Sequence, residues 1–213
     1  MFKNQIWLYE QEYRAMSPKA AKDYFAWFVD NIPNEITELQ EVVGDSFILD
    51  YSPKTLIQLE EWFISKRKYV ELTEEQIRED NANAPEFILQ EMLVKKFAPT
   101  VESYDLGAKI AIYFGEVFIK NDSDLYWDYV KKPKNEVSFN VPVIYGFTPL
   151  DMKYQCYVNT FNWGLPLYSD SPKGTNWQNT WYEMYQLWIE DKAMYYSPDF
   201  SKEKLLQKMK IKI

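Results

Sequence analysis

Carboxylates are the only side chains in this sequence numerous enough to suggest proton chemistry. The chain of 213 residues holds 32 Asp and Glu, a single cysteine and no histidine. Without histidine there is no imidazole base, no Ser-His-Asp or Cys-His system and no His-ligated zinc. Cys156 has no second cysteine for an internal disulfide or a CxxC pair, and it reads as a small buried hydrophobe. The neighbours Glu60-Glu61 and Glu74-Glu75 cannot share one helix face, so both pairs read as surface charges. Asp122-x-Asp124 has the opening spacing of a calcium loop. Trp127 stands where the loop needs Gly, however, and Pro133 where the closing Glu ligand belongs. A helix N-cap at Asp122 or Asp124 is the simpler expectation. No GxGxxG, GxxxxGK[ST] or GxSxG motif occurs. The residues therefore point to no reaction, and no catalytic residue, metal site or cofactor is expected.

Binding is better represented than catalysis. Aromatic residues make up 18% of the chain. Tyr126-Trp127, Phe161-Asn162-Trp163-Gly164 and the group Trp177, Trp181, Tyr182 and Tyr185 each adjoin polar or turn-forming residues. Exposed, such rings make a sugar-stacking or partner-binding surface; buried, they fill an aromatic-rich core. Trp163, beside Asn162 and Gly164, is the strongest candidate for an exposed anchor, with Tyr126, Trp127 and Trp177 behind it.

The net charge is −8 and the sequence pI about 4.8. Phosphate backbones need a basic surface, so nucleic acid is not an expected partner. The acidity is uneven. Residues 1–91 hold 18 acids and 9 bases (net −9), and the remainder holds 14 acids and 15 bases (net +1). Glu35, Glu38, Glu41, Glu60 and Glu61 are the candidates for an acidic helical face. Such a face either simply solvates the protein or steers a basic partner toward it.

Several elements must position these residues. Segments 17–28 (SPKAAKDYFAWF) and 52–63 (SPKTLIQLEEWF) repeat at an offset of 35. Each reads as a helix with Ser as N-cap and Pro at its first position. Ala21, Tyr24, Phe25 and Phe28 form an apolar stripe in the first. Leu56, Leu59 and Phe63 repeat it in the second with one position missing. Trp27, Phe28, Trp62 and Phe63 are expected to be largely buried. Pro33 to Val43 reads as a further helix closed by Gly44. Thr73 caps a short one, Pro85 opens another, and Ser103 to Phe114 forms the next. Gly107 lies inside that pattern, and Gly115 suits a left-handed turn after it. Glu116–Lys120 and Val137–Val141 have strand composition, and Val143–Phe147 continues past Pro142. Trp177–Tyr195 reads as a helix, and Ser197-Pro198 starts a last one. The expected fold is α+β, mainly helical, with a small antiparallel sheet in the middle third. It forms one domain over 1–213, helical to about residue 100 and mixed beyond.

The segments GAKIAIYFGEVFIKN (107–121), LYWDYV (125–130) and KNEVSFNVPVIYGF (134–147) resemble a stretch of uncharacterised bacterial proteins, including immunity-type proteins of toxin systems. The paired SPK…WF segments fit the same resemblance, which carries no catalytic residue. It implies a small cytoplasmic interaction protein, and the acidity would suit a basic protein partner. One lone cysteine and no apolar leader at the N-terminus also suggest a reducing cytoplasm. No stretch is apolar enough to expect a membrane span. A carbohydrate-binding or carbohydrate-active domain, using the aromatics and the carboxylates, is the alternative expectation.

Overall fold

The computed structural model describes residues 6, 8, 10–80, 97–152, 155–164 and 180–200. In chain order these form α1 (Glu10–Ala15), α2 (Pro18–Val43), α3 (Thr55–Lys66), β1 (Tyr69–Glu71), α4 (Glu74–Asp80), β2 (Phe97–Pro99), α5 (Val101–Asn121), β3 (Tyr126–Tyr129), β4 (Pro142–Tyr145), α6 (Phe161–Gly164) and α7 (Thr180–Tyr195). The fold is α+β and mainly helical, as composition and periodicity predict. The strands pair as two antiparallel ribbons, β1–β2 and β3–β4, instead of one sheet.

Helix α2 begins where the sequence places it. Ser17 Oγ accepts the Ala20 N–H at 3.2 Å, and Pro18 occupies the first turn. Ala21, Tyr24, Phe28, Ile32, Ile36, Leu39 and Val43 form its buried stripe. Gly44 closes it at φ +63°, its N–H bonded to the Gln40 carbonyl. Pro33 does not start a new helix, because α2 runs straight through it. An interior proline costs about 3 kcal/mol. Burying one large apolar side chain returns about 1.5–3 kcal/mol, and the stripe keeps its phase across Pro33. Helix α3 departs from the repeat in another way. Ser52 does not cap it; Asp50 accepts the Ser52 N–H at 2.8 Å and the Thr55 hydroxyl, and the helix starts at Thr55. Phe28 and Phe63 are buried, whereas Trp27 and Trp62 are only partly so.

Helix α5 replaces two expected features. It continues through Glu116–Lys120, so that segment is not a strand, and Gly115 lies inside it and makes no left-handed turn. Every residue from Gly107 to Gly115 is buried. A helix apolar all round is a central helix, and burial overrides the local β preference of Val117-Phe118-Ile119. A Cβ on Gly115 would overlap the Trp127 ring, so glycine there gives β3 its close approach. The segment 137–141 is mostly turn, with one bridge from Phe139 to Val130. Asn140 adopts φ +66° and donates its side-chain amide to the Tyr13 carbonyl at 3.0 Å, fixing the turn to α1. Pro142 opens β4, where its missing donor is tolerated. Thr73 and Gln76 cap α4 reciprocally, as predicted.

The buried residues form one contiguous cluster that reaches from Ile6 to Trp181. Within it α2 packs on α5, and α3 on α7. Asp122 and Asp124 cap no helix N-terminus. Asp122 sits at the C-terminal end of α5, and both carboxylates hold the Lys192 ammonium of α7, at 2.6 and 3.1 Å. The helix expected from Pro85 and the body of the one expected after Ser197-Pro198 lie outside the described residues.

Candidate functional site

Lys109 interrupts the apolar run of α5, and its environment marks an open groove among the described residues. Its ammonium donates to Glu35 at 2.6 Å and to Glu38 at 2.8 Å, both on α2, and lies 3.6 Å from Asp105 one turn back on α5. Burial works against the charged lysine. The hydrogen bonds from the two glutamates, aided by Asp105, outweigh it, and its pKa lies above the usual lysine value. The cluster is graded by depth. The side chains of Lys109 and Glu35 are 10% and 14% exposed, whereas those of Glu38 and Asp105 are 57% and 53% exposed. One ammonium therefore serves three carboxylates, and the two outer ones retain acceptor capacity facing solvent.

These groups line an open groove of about 890 Å³ between α2, α3 and α5. Trp62, Leu106, Val42 and Val101 supply apolar surface, and Lys66, Lys68 and Glu102 complete its polar rim. Val42 is 59% and Val101 75% exposed. At the C-terminal end of α2, Ile48 is 77% exposed beside Glu41 and Asp45.

The structure separates the sequence candidates. Glu35 and Glu38 come together in the groove, and Glu41 and Glu61 are exposed. Glu60 is not a surface charge. It is 4% exposed, and its Oε2 accepts the Trp181 backbone N–H at 3.2 Å, capping α7 from α3. Burial pushes its pKa above the usual carboxylate value, although the hydrogen bonds from Trp181 and Thr180 pull the other way. Trp127 is not an exposed anchor either. Its ring meets Phe28 edge-on at 5.1 Å, and its Nε1 donates to Glu116 at 2.8 Å. Tyr126 is exposed and stacks on Tyr145 with centroids 6.3 Å apart, and Tyr145 leans on Tyr157. Burial, then the neighbouring Tyr157 and Asp128, push the Tyr145 hydroxyl up to about 12. Asn162 is half-buried in α6; the Trp163 side chain and Trp177 lie outside what is described. Cys156 is half-buried, and burial raises its thiol pKa, the opposite of an activated thiolate.

Lys109, Asp105, Trp62, Lys66 and Lys68 were not candidates in the sequence. The signal for Lys109 was a lone charge inside GAKIAIYFG, three residues after Leu106 on the inward stripe. Among the described residues no group of three or more cysteine or carboxylate side chains could hold a metal, and no helix is long and apolar enough to cross a membrane. No family model, curated protein or solved structure matches the chain.

Proposed function

We propose that the protein is a non-catalytic binding protein that holds a basic partner protein on the acidic, partly apolar surface of α2 and its groove. The observation that carries this reading is a juxtaposition. Exposed Val42 and Val101 line the groove with Glu38, Glu102 and Asp105, and exposed Ile48 lies beside Glu41 and Asp45 just past the end of α2. Protein interfaces combine an apolar centre with a charged rim that steers and orients the partner. The resemblance of residues 107–147 to immunity-type proteins supports a bacterial, cytoplasmic setting with a toxin as the partner. In the groove Glu38 and Asp105 both engage the Lys109 ammonium, which suits charge recognition of a partner.

Affinity capture of the tagged protein from its native host tests this. The expected result is one stoichiometric, basic protein whose toxicity is relieved by co-expression of this chain. Failure to recover any stable partner, with no rescue by the chain from a toxin encoded beside it, overturns the reading. A carbohydrate ligand is the second reading, favoured by exposed Tyr126 stacked on half-buried Tyr145. Glycan-array binding lost in Tyr126→Ala would support it.

A further inference from the structure

The groove is charged asymmetrically. Helices α2 and α5 contribute Glu35, Glu38 and Asp105 around Lys109, while the end of α3 and the residues after it contribute Lys66 and Lys68. Neither Lys66 nor Lys68 forms an ion pair within the described residues, and both are exposed. Lys68 lies close enough to Glu102 to help hold that carboxyl below its usual range, behind hydrogen bonds from its own backbone and Thr100. Trp62 and Leu106 give the groove an apolar lining. A purely basic ligand would meet attraction at Glu38 and Asp105 and repulsion at the two lysines. A ligand with both charges would meet attraction at both places.

We propose that the groove takes a dipolar segment of the partner protein. A basic side chain sits at Glu38 and Asp105, an apolar side chain packs on Trp62 and Leu106, and an acidic side chain sits at Lys66 and Lys68. This deepens the binding reading above and rests on it. Lys109 acts as the resident counter-ion: it keeps Glu35 paired and leaves the outer carboxylates for the incoming cation.

Display selection of random dodecapeptides on the full chain tests the assignment. The wild-type protein is expected to enrich sequences that carry a basic, an apolar and an acidic residue together. Lys66→Glu with Lys68→Glu should remove the acidic preference and keep the basic one. Glu38→Gln with Asp105→Asn should do the reverse, and Glu35 still pairs Lys109 in that variant. Affinity for one selected peptide should fall roughly fivefold for each exposed pair lost. The double change Asp23→Lys and Asp30→Lys lies on α2 outside the groove lining and alters net charge as much as the two lysine reversals do, and more than the two amide changes. It should leave that affinity nearly unchanged in buffer of moderate ionic strength. Amide chemical-shift changes on peptide binding should cluster at residues 35–42, 62–68 and 101–109. Circular dichroism confirms that each variant is folded. Selected peptides that are only basic, and indifferent to the Lys66 and Lys68 changes, overturn the dipolar assignment and leave the basic-partner reading standing. Enrichment of no sequence also overturns the assignment, while the basic-partner reading stands or falls on the native capture.

Discussion

Two charged residues that sit on apolar stripes carry most of the information at the residue scale. Leu56, Leu59 and Phe63 leave one position of their stripe unfilled, and that position is Glu60. Pairing it with Glu61 as a surface charge overlooks the phase, which turns Glu60 inward and Glu61 outward. Lys109 stands in the same relation to Leu106 and Ile110. The difference is in the partners. Lys109 meets carboxylates, while Glu60 meets the N-terminal turn of α7. The positive end of a helix dipole is worth about 0.3–1 kcal/mol to a carboxylate. Burial nevertheless raises the Glu60 pKa, against the lowering by the hydrogen bonds from Trp181 and Thr180. Since the folded pKa lies above the unfolded one, the protonated side chain favours folding. That contribution is complete below the ordinary glutamate pKa and is lost as pH rises through the folded value. Glu60→Gln keeps a neutral acceptor for the Trp181 N–H. Its melting temperature should therefore exceed that of wild type near neutral pH, with the gap closing toward about pH 4. Glu60→Ala removes the buried carboxylate that accepts from Trp181 and Thr180 and should cost about 1–3 kcal/mol. Equal losses in both variants would refute the desolvation account.

At the element scale the ends of helices were legible and their continuity was not. Ser17, Gly44 and Thr73 all cap where local chemistry places them. Pro33 and the run Glu116–Lys120 misled, because each sends a local signal that burial along the whole helix overrides. Pro33 is exposed and lacks the N–H that would bond the Val29 carbonyl. Pro33→Ala restores that bond and should stabilise the protein by about 1–2 kcal/mol, after allowing for the greater freedom of the unfolded chain. A loss in urea denaturation would show that the proline relieves crowding in α2. Gly115 tests the opposite case. Alanine in a helix interior gains about 1 kcal/mol over glycine. Here its methyl group would overlap the Trp127 ring, and overpacking costs about 1–3 kcal/mol. Gly115→Ala should therefore destabilise the wild type but be neutral or stabilising in a Trp127→Phe background. The same cost in both backgrounds would mean that Trp127 does not set the spacing between α5 and β3.

For the whole molecule the charge asymmetry was legible from counting, whereas the accessible part of it was not. Residues 1–91 are net −9, yet Glu60 is buried as a cap and Glu35 is half-buried against Lys109. Of the original set only Glu38, Glu41 and Glu61 are exposed, and Asp45, Glu102 and Asp105 are exposed with them, so the acidic surface open to the proposed partner differs from the one the count implies. Two of these, Glu102 and Asp105, come from α5 and lie outside the acidic segment 1–91. Exposed charges act at a distance only as far as screening allows, and the Debye length falls from about 10 Å at 0.1 M salt to about 3 Å at 1 M. Association with the cognate partner should slow by roughly an order of magnitude or more across that range, with dissociation much less affected. Glu38→Lys, Glu41→Lys and Glu61→Lys should each slow association at low salt, and the differences should vanish at high salt. Glu60→Gln should leave the association rate at its wild-type value, because a buried cap contributes little to the external field. Stopped-flow mixing over a salt series measures all four. An association rate indifferent to salt and to the three reversals would show that the acidity only solvates the surface, and the apolar residues Val42, Ile48 and Val101 would then have to carry recognition by themselves.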